Sequence, residues 1–396
     1  MVMAAGLRAA LAAAEDDMIV FDLTGIDEAL ARLHRELPGV EVRFAVKACP
    51  VDEVLAVLAG GGAGFDAASP REIEQALRTG RSAHRVHYGN TVKSDQDIAA
   101  ARRLGVRDFA TDSVPDVRAV AAHAPGSRVF CRLSTAGTGA LWPLSRKSGC
   151  GVPDAVTVLE TARAHGLVPG GLSLHVGSQQ MDPGAWRSAI TVLTEAITAL
   201  RQRGVHIDQV NLGGGLPALG YHDRQGQPLR PDLDRIFAEI RDGMRRLSRT
   251  SARPLRFVLE PGRHLVADHG AIRARVVRLT ERRRHDGHRQ HWLYLSCGKF
   301  TGLYEMDKLQ YPLVFPTRPD GPTVPAVVAG PTCDSDDAFA AEHPVPVPAT
   351  VESGDPVWIL AAGAYSVSYL TSGFNGFPPL PHHAVQGALT GGAGNR

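Results

Sequence analysis

Eight stretches rich in β-branched or apolar residues recur from position 41 onward, and residues with helical spacing separate most of them. The predicted strands are residues 41–48, 64–69, 84–90, 108–113, 128–134, 171–178, 209–215 and 256–262, and the clearest predicted helices are 52–58, 70–79, 95–104 and 186–202. Regular alternation of strand and helix indicates a parallel sheet. Eight such strands in one domain favour an α/β fold of the closed (β/α)8, or TIM-type, barrel class over an open sheet.

The chain beyond the predicted barrel indicates a second, β-rich domain. Residues 271–284 alternate like a strand, Asp286-Gly287 is typical of a hairpin turn, and alternation returns over 291–296. Prolines then multiply and helical spacing fades. We therefore predict a barrel over residues 25–265, a β-rich domain resembling a sandwich or barrel over 1–24 with 266–383, and a disordered Gly-rich tail over 384–396.

The first forty residues predict two helices and one strand. Residues 1–14 are Ala-rich, but a basic residue interrupts them and acidic residues follow, so an amphipathic helix is favoured over a signal peptide. Residues 19–23 are expected to join the β-rich domain. Thr24-Gly25-Ile26-Asp27 has the form of a helix N-cap. The apolar face of that second helix comprises Ile26, Leu30, Leu33 and Leu37.

Composition narrows the functional classes. Hydrophobic residues make up 44% of the chain and charged residues 21%, with a net charge of +2, which favours neither a nucleic-acid partner nor a membrane surface. No apolar run approaches the roughly 18 residues of a membrane span. The five cysteines form no CxxC pair and no metal-ligand spacing, so we expect a cytoplasmic protein without disulfides or a metal site.

Lys47 follows the apolar run Phe44-Ala45-Val46 at the end of the first predicted strand. The working groups of (β/α)8 barrels lie where strands end. Burial there would lower the pKa of the lysine and supply a free amine able to condense with an aldehyde. A lysine that merely extends to solvent from a strand end is an equally good interpretation of its position alone.

Two loops after the seventh and eighth predicted strands suggest an anion site. Gly213, Gly214 and Gly215 allow backbone N–H groups to approach an anion, and Arg263 in Glu260-Pro261-Gly262-Arg263 adds charge-assisted donors. These loops are the usual phosphate site of this barrel. A tight turn beside a surface arginine is the alternative, but the two features together favour a phosphate monoester.

Three further polar residues complete the predicted site. Glu260 is expected near the barrel axis, where a carboxylate keeps a pyridine nitrogen protonated as an electron sink. An ion pair between Glu260 and Arg263 is the alternative. His175, on the inward side of the sixth strand, is either an ordinary core residue or an aromatic lid over a flat cofactor. Ser178 is either a phosphate donor or a helix N-cap.

Eight motifs of the chain occur together in a recognisable order and spacing. They are Phe44-Ala45-Val46-Lys47-Ala48, Phe65-Asp66-Ala67-Ala68-Ser69, His175-Val176-Gly177-Ser178, Gly213-Gly214-Gly215, Glu260-Pro261-Gly262-Arg263, Gly330-Pro331-Thr332-Cys333-Asp334-Ser335, Gly363-Ala364-Tyr365 and Phe374-Asn375-Gly376-Phe377. With these motifs the chain resembles, over residues 19–380, the fold-type III pyridoxal-phosphate-dependent decarboxylases of ornithine, lysine, diaminopimelate and arginine.

The resemblance implies a cofactor, pyridoxal 5'-phosphate, and a set of residues that hold it. Lys47 would carry it, with Asp66 and Arg132 nearby, His175 stacked on its ring and Glu260 at its nitrogen. The implied phosphate ligands are Ser178, Gly213, Gly214, Gly215, Arg263 and Tyr365.

The resemblance also implies a head-to-tail homodimer with shared active sites. Cys333 would come from the second subunit and help to return a proton to the product, and Asp334 would bind the distal ammonium of the substrate. Lys147 and Asp337 resemble the family's ion pair across that dimer.

The substrate implied by the resemblance is a basic L-amino acid, ornithine or lysine, converted to a diamine and carbon dioxide. The loop 304–312 is shorter than in the ornithine/lysine branch, and Glu305 or Asp307 is the expected second acid there, with Tyr365 a further substrate contact. Diaminopimelate, arginine or a specialised amino acid remain alternatives. So do a racemase, which tends to carry arginine where this chain has Glu260, and an inactive regulatory homologue, which would have lost the lysine or phosphate ligands.

Overall fold

The computed structural model describes residues 3–144 and 146–386, which separate into two compact units. The barrel unit comprises Ala29–Pro217 and Arg230–Gly262. The sheet unit comprises the described residues of 1–28, 218–229 and 263–396. The sequence placed 25–28, 218–229 and 263–265 in the barrel domain, whereas their contacts group them with the sheet unit.

Eight parallel strands close the barrel, as predicted. In chain order they are Val40–Ala45, Gly64–Ala67, Val86–Tyr88, Asp108–Thr111, Arg128–Arg132, Val168–Ser173, Gln209–Asn211 and Arg256–Leu259. The eighth strand pairs with the first, with Phe257 opposite Val40. All eight predicted segments overlap a barrel strand, although most of them run on into the loop that follows, and 171–178 covers only the second half of Val168–Ser173. Lys47, for example, lies in a 3-10 turn, Val46–Ala48, after the first strand.

Helices follow the barrel strands and pack their apolar faces against them. They are Asp52–Gly60, Pro70–Arg78, Asp95–Arg103, Val114–His123, Val152–Ala164, Pro183–Gln202, Leu233–Thr250 and the short Arg263–Val266, with a 3-10 turn at Ala83–Arg85. Side-chain oxygens of Ser69, Ser94 and Asp182 accept backbone N–H groups at three of the N-termini. Trp186 illustrates the apolar faces, since it is completely buried.

The helix that precedes the barrel, Leu23–Glu36, buries Ile26, Leu30 and Leu33 as predicted. The predicted N-cap at Thr24 is wrong, because the helix already begins at Leu23 and Thr24 lies in its first turn. The side chain of Asp22, at the end of the preceding strand, accepts the backbone N–H of Gly25 at 3.2 Å instead.

Nine strands build the sheet unit within the described residues. They are Met18–Asp22, Gly270–Arg283, Arg289–Leu295, Leu313–Val314, Thr323–Ala329, Ala338–Phe339, Val345–Pro348, Pro356–Ile359 and His382–Val385. Gly270–Arg283 and Arg289–Leu295 form the predicted hairpin, with Gly287 at φ 84°. Short 3-10 turns occupy Ala267–His269, Lys299–Thr301, Tyr304–Asp307 and Phe374–Gly376.

The N-terminal segment is part of the sheet unit. Met18–Asp22 runs antiparallel to Gly270–Arg283 and parallel to His382–Val385. The predicted first helix is present as Ala5–Ala13, and it buries Leu7 and Leu11 in a cluster with Trp358.

The predicted disordered tail is wrong at its start, because Ala384 and Val385 pair with Phe21 and Asp22 in a β-ladder. Residues 387–396 of that prediction lie outside the described residues. Among the helices of the described ranges, none is both long enough and apolar enough to cross a bilayer. All five cysteines are free thiols, and Cys131 in the fifth barrel strand lies 3.6 Å from Cys150.

Candidate active site

The predicted site residues of the barrel unit gather at the carboxyl ends of its strands. Lys47 follows the first strand, Asp66 lies in the second, Arg132 ends the fifth and Glu260 follows the eighth. His175 lies just after the sixth strand. Because the carboxyl ends of parallel barrel strands share one face, residues distant in sequence meet there.

Lys47 and Asp66 form an ion pair, with 3.3 Å between Nζ and Oδ2. The Asp66 side chain is 5% exposed, whereas that of Lys47 is 48% exposed. Burial raises the pKa of Asp66, but Lys47 and His87 outweigh it and hold that pKa below its usual value. The expectation of a buried lysine is therefore wrong. Its amine reaches accessible space, while the acid beside it is the buried partner.

Glu260 accepts two hydrogen bonds on a single oxygen. Its Oε1 lies 2.5 Å from Nδ2 of Asn211 and 2.8 Å from Nε2 of His87. The same His87 nitrogen lies 3.1 Å from Oδ1 of Asp66. His87, fully buried in the third strand, thus joins the acid beside the lysine to the acid at the end of the eighth strand.

The two acids beside His87 favour its protonated form. Burial and Arg43 lower its pKa, but the hydrogen bonds to Asp66 and Glu260 outweigh both and raise the pKa to about 9. Its Nδ1 is buried without a hydrogen-bond partner among the described residues, which costs about 1–3 kcal/mol. Both acids share the single N–H of Nε2, which together amounts to about one charge-assisted hydrogen bond of about 1.5–3 kcal/mol.

The charge on His87 also bears on metal binding. Oxygens of Asp66 and Glu260 and a nitrogen of His87 lie within 4.8 Å of one another, a spacing that a metal ion would accept. An imidazolium, however, carries a proton on each ring nitrogen and has no lone pair for a metal. The cluster is better described as two carboxylates that share one buried cation.

His175 lies half-buried against the glycine run. The backbone N–H of Gly177 donates to its Nδ1 at 3.0 Å, and Thr135 donates to its carbonyl at 2.5 Å. Burial, with Arg132 and Lys47 nearby, lowers the pKa of His175 to about 3, so the ring is neutral at physiological pH. A neutral imidazole held in one orientation can stack on a flat aromatic ring without the cost of burying a charge.

The three glycines after the seventh strand lie where a Cβ atom would collide with neighbouring atoms. Gly213 and Gly215 have φ of 68° and 114°, and a Cβ at Gly213 would collide with the carbonyl of Leu174. A Cβ at Gly214 would lie 2.9 Å from Nε2 of His175 and from the carbonyl oxygen of Glu260. Glycine keeps the backbone close to the imidazole and to the acid-bearing loop. Ser178 opens the short strand Ser178–Gln180 beside this run.

The predicted phosphate ligand Arg263 lies in the sheet unit, where it forms a buried ion pair with Glu305. Its Nη1 and Nη2 lie 2.5 and 2.6 Å from the two oxygens of Glu305, and Nη1 lies 3.0 Å from the hydroxyl of Tyr221. The guanidinium also lies 4.7 Å from the ring centre of Tyr365, which has φ 64°. The predicted alternative pairing of Arg263 with Glu260 is not present.

The two acids predicted for the loop 304–312 differ sharply in environment. Glu305 is 4% exposed and both of its oxygens are bound to Arg263, so its ionic partner is a protein group and not a substrate ammonium. Asp307, in the same 3-10 turn, is exposed.

The residues predicted to serve a second subunit lie on a loop of the sheet unit. Cys333 and Asp334 are exposed, and the backbone N–H of Cys333 donates to Asn375 at 3.1 Å. Asp337 is 2% exposed and accepts hydrogen bonds from Lys299 N–H and from Thr332. These donors are all neutral groups, so the expected ion pair of Asp337 with Lys147 of another subunit remains a prediction.

Comparison with known proteins identifies the family to which this arrangement belongs. The pyridoxal binding domain of the pyridoxal-dependent decarboxylases matches residues 23–267, and their C-terminal sheet domain matches residues 266–363. The chain belongs to this family of decarboxylases. The predicted fold and the predicted resemblance are both confirmed.

This decarboxylase is similar to two curated relatives and to one solved structure. It is 31% identical to ornithine decarboxylase of Schizosaccharomyces pombe, across 91% of this chain and 82% of the relative. It is 30% identical to lysine/ornithine decarboxylase of Selenomonas ruminantium, across 92% and 88%. The structure of a Vibrio vulnificus lysine/ornithine decarboxylase complexed with cadaverine has 28% identity and a TM-score of 0.84, covering 97% of this chain and all of that one.

The barrel unit of the decarboxylase fits a pyridoxal cofactor. An accessible amine, an ionised acid and a neutral imidazole are present together, and the glycine run leaves room where any Cβ would intrude. Sequence reasoning missed His87 and Asn211. The signal for His87 was a polar residue at the centre of the strand Val86–Tyr88, where a buried polar group needs a partner, whereas Asn211 ends the strand Gln209–Asn211.

Proposed function

We propose that this decarboxylase acts on a basic L-amino acid, ornithine or lysine, and releases a diamine and carbon dioxide with pyridoxal 5'-phosphate as cofactor. The observation that carries the proposal is the accessible Lys47 amine, paired with Asp66 on the same barrel face as the carboxylate of Glu260. The amino-acid substrates named for the relatives support the choice of ornithine or lysine.

The residues that would hold the cofactor follow from this arrangement. In the barrel unit they are Lys47, Asp66, Arg132, His175, Ser178, Gly213, Gly214, Gly215 and Glu260. Arg263 and Tyr365 of the sheet unit remain predicted phosphate ligands. When bound, pyridoxal phosphate supplies an electron sink for the pair of electrons left when carbon dioxide departs.

The chain's own groups control protons and charge around that step. Glu260, ionised beside the His87 cation, would keep a proton on the ring nitrogen. His175 would cover one face of the ring and exclude water from it. Lys47 would release the cofactor to the substrate amine and recover it afterwards, and Cys333 would return a proton to the product.

For the distal ammonium of the substrate we propose Asp334, with Asp307 as the second acid. Glu305 is the less suitable candidate because Arg263 already neutralises it. Asp307 and Asp334 are both exposed, and charge-assisted hydrogen bonds from an ammonium favour ionised acceptors.

We further propose that Cys333 and Asp334 act in the site of a second subunit, in a head-to-tail homodimer. Their exposure on the sheet unit is compatible with reaching another protomer. A cytoplasmic location, predicted from cysteine usage, remains a prediction.

The deciding experiment is release of carbon dioxide from ornithine, lysine, arginine and diaminopimelate by the purified protein supplied with pyridoxal phosphate. We expect turnover of ornithine or lysine in preference to the other two, and none by a Lys47→Ala control. Inactivity on every member of the panel would remove the substrate proposal. Loss of optical activity without gas release would instead support a racemase, which the acid at position 260 disfavours.

A further inference from the structure

His87 is the one buried histidine of the described barrel face that bridges two carboxylates. Its side chain is inaccessible to solvent, and its Nε2 lies 2.8 Å from Glu260 Oε1 and 3.1 Å from Asp66 Oδ1. The bond to Asp66 ties it to Lys47, and the bond to Glu260 ties it to Asn211. The strand that supplies His87 contributes none of the predicted cofactor ligands, so its role is not explained by those assignments.

The two acids need a cation between them. Their oxygens lie within 4.8 Å of each other in a largely buried setting. Two carboxylates so close do not both stay ionised unaided, because like charges in low dielectric drive one of them to bind a proton. Lys47 forms an ion pair with Asp66, whereas His87 lies within hydrogen-bond distance of both acids.

The hydrogen bonds to Glu260 are also directional. Both Asn211 and His87 donate to Oε1, and no described residue donates to Oε2. The side chain keeps 15% exposure. His87 and Asn211 therefore fix the carboxylate through one oxygen and leave the other for a ligand.

Gly89 directly follows the strand Val86–Tyr88, two residues after His87, and shows how closely this arrangement is packed. A Cβ at position 89 would collide with Oδ1 of Asp66, the oxygen that contacts His87. Phe130 of the fifth strand packs against the imidazole at 5.1 Å between ring centres. The imidazole is thus held by an aromatic contact as well as by the two acids.

We propose that His87 is a positioning residue which keeps Asp66 and Glu260 ionised together and aims the free oxygen of Glu260 at the ring nitrogen of the cofactor. This rests on the proposed function, in which Glu260 meets that nitrogen. Without the imidazolium, repulsion between the two carboxylates would favour uptake of a proton from solvent by one of them, and a protonated Glu260 would lose its preference for a protonated ring.

The test measures binding to the full-length chain freed of cofactor, with two probes. One is pyridoxal phosphate. The other is 1-deazapyridoxal phosphate, in which C–H replaces the ring nitrogen and which therefore cannot meet Glu260 through a proton. The ratio of the two dissociation constants reports the Glu260 interaction and is insensitive to general damage to the pocket, which weakens both probes alike.

His87→Leu removes the donor and the charge, and His87→Gln keeps a donor without the charge. We expect the preference for pyridoxal phosphate to fall about 10- to 100-fold in His87→Leu, the equivalent of one charge-assisted hydrogen bond, with His87→Gln in between. His84→Leu, an exposed histidine in the turn that precedes the strand, is the matched control and should keep the wild-type ratio.

Several results overturn the proposal. Equal weakening of both probes in His87→Leu would make His87 a packing residue only. Should that variant fail to fold, a wild-type ratio in His87→Gln overturns the proposal by itself.

Glu260→Gln separates this inference from the proposed function. If the wild-type chain prefers pyridoxal phosphate and Glu260→Gln does not, while the His87 variants do, only the His87 inference fails. If wild type and Glu260→Gln bind the two probes alike, the cofactor role of Glu260 fails as well.

Discussion

Replacing Glu305 by glutamine is expected to destabilise the sheet unit, because it leaves a buried guanidinium without its counter-charge. The side chains of Arg263 and Glu305 are 3% and 5% exposed, and both guanidinium nitrogens bond to the carboxylate. Removing one partner of such a pair costs about 3–5 kcal/mol. The amide still accepts one hydrogen bond from the cation, about 1.5–3 kcal/mol, which leaves a net loss of about 2 kcal/mol.

Thermal unfolding measures this loss. About 2 kcal/mol corresponds to a decrease in midpoint of about 4–8 °C for a unit of this size. Asp307→Asn is the matched control, since Asp307 belongs to the same turn, is exposed, and should change the free energy of unfolding by less than about 0.5 kcal/mol. An unchanged midpoint in Glu305→Gln, or an equal decrease in both variants, would refute the reasoning that the buried pair stabilises this unit.

Three other outcomes are expected. Gly214→Ala should weaken pyridoxal phosphate binding about tenfold, because its Cβ would crowd His175; titration of the cofactor-free chain measures it, and unchanged affinity contradicts the packing argument. Mixed Lys47→Ala and Cys333→Ala proteins should regain partial activity through hybrid dimers, and no recovery despite proven subunit exchange would exclude a shared site. The stability that His87 contributes should be complete below pH about 6.5 and be lost as pH rises through about 9, since Asp66 and Glu260 raise its folded-state pKa against the opposing effect of Arg43. Denaturant midpoints of wild type and His87→Gln should therefore converge over that range, and a constant gap would contradict the charge.

The barrel was predictable from sequence because its signal is local and repeated. Each strand carries its own β-branched run, and each following helix its own apolar face. Element ends were less accurate, as at Thr24, because the cap depends on which side chain reaches the orphan N–H groups, and here that is Asp22.

The site was predictable where a motif is contiguous and was missed where it is not. Lys47 and Gly213 belong to contiguous motifs that can be recognised from the sequence alone. The polar residue at the centre of its strand marks His87 as unusual, but its two partners are identified only when closure of the barrel brings the acids of the second and eighth strands to its Nε2. Glu305 was assigned to the substrate for the same reason, since its proximity to Arg263, 42 residues away, is a tertiary fact.

Pairing of Met18–Asp22 with Gly270–Arg283 and His382–Val385 has a consequence for biosynthesis. On the ribosome, this apolar segment emerges first, but its two partners are made some 250 and 360 residues later. The barrel can close before these partners are made, so Met18–Asp22 remains an unpaired strand with exposed apolar side chains for most of translation. Chaperone capture of that strand, or its early self-association, is the hazard that this chain order creates during synthesis.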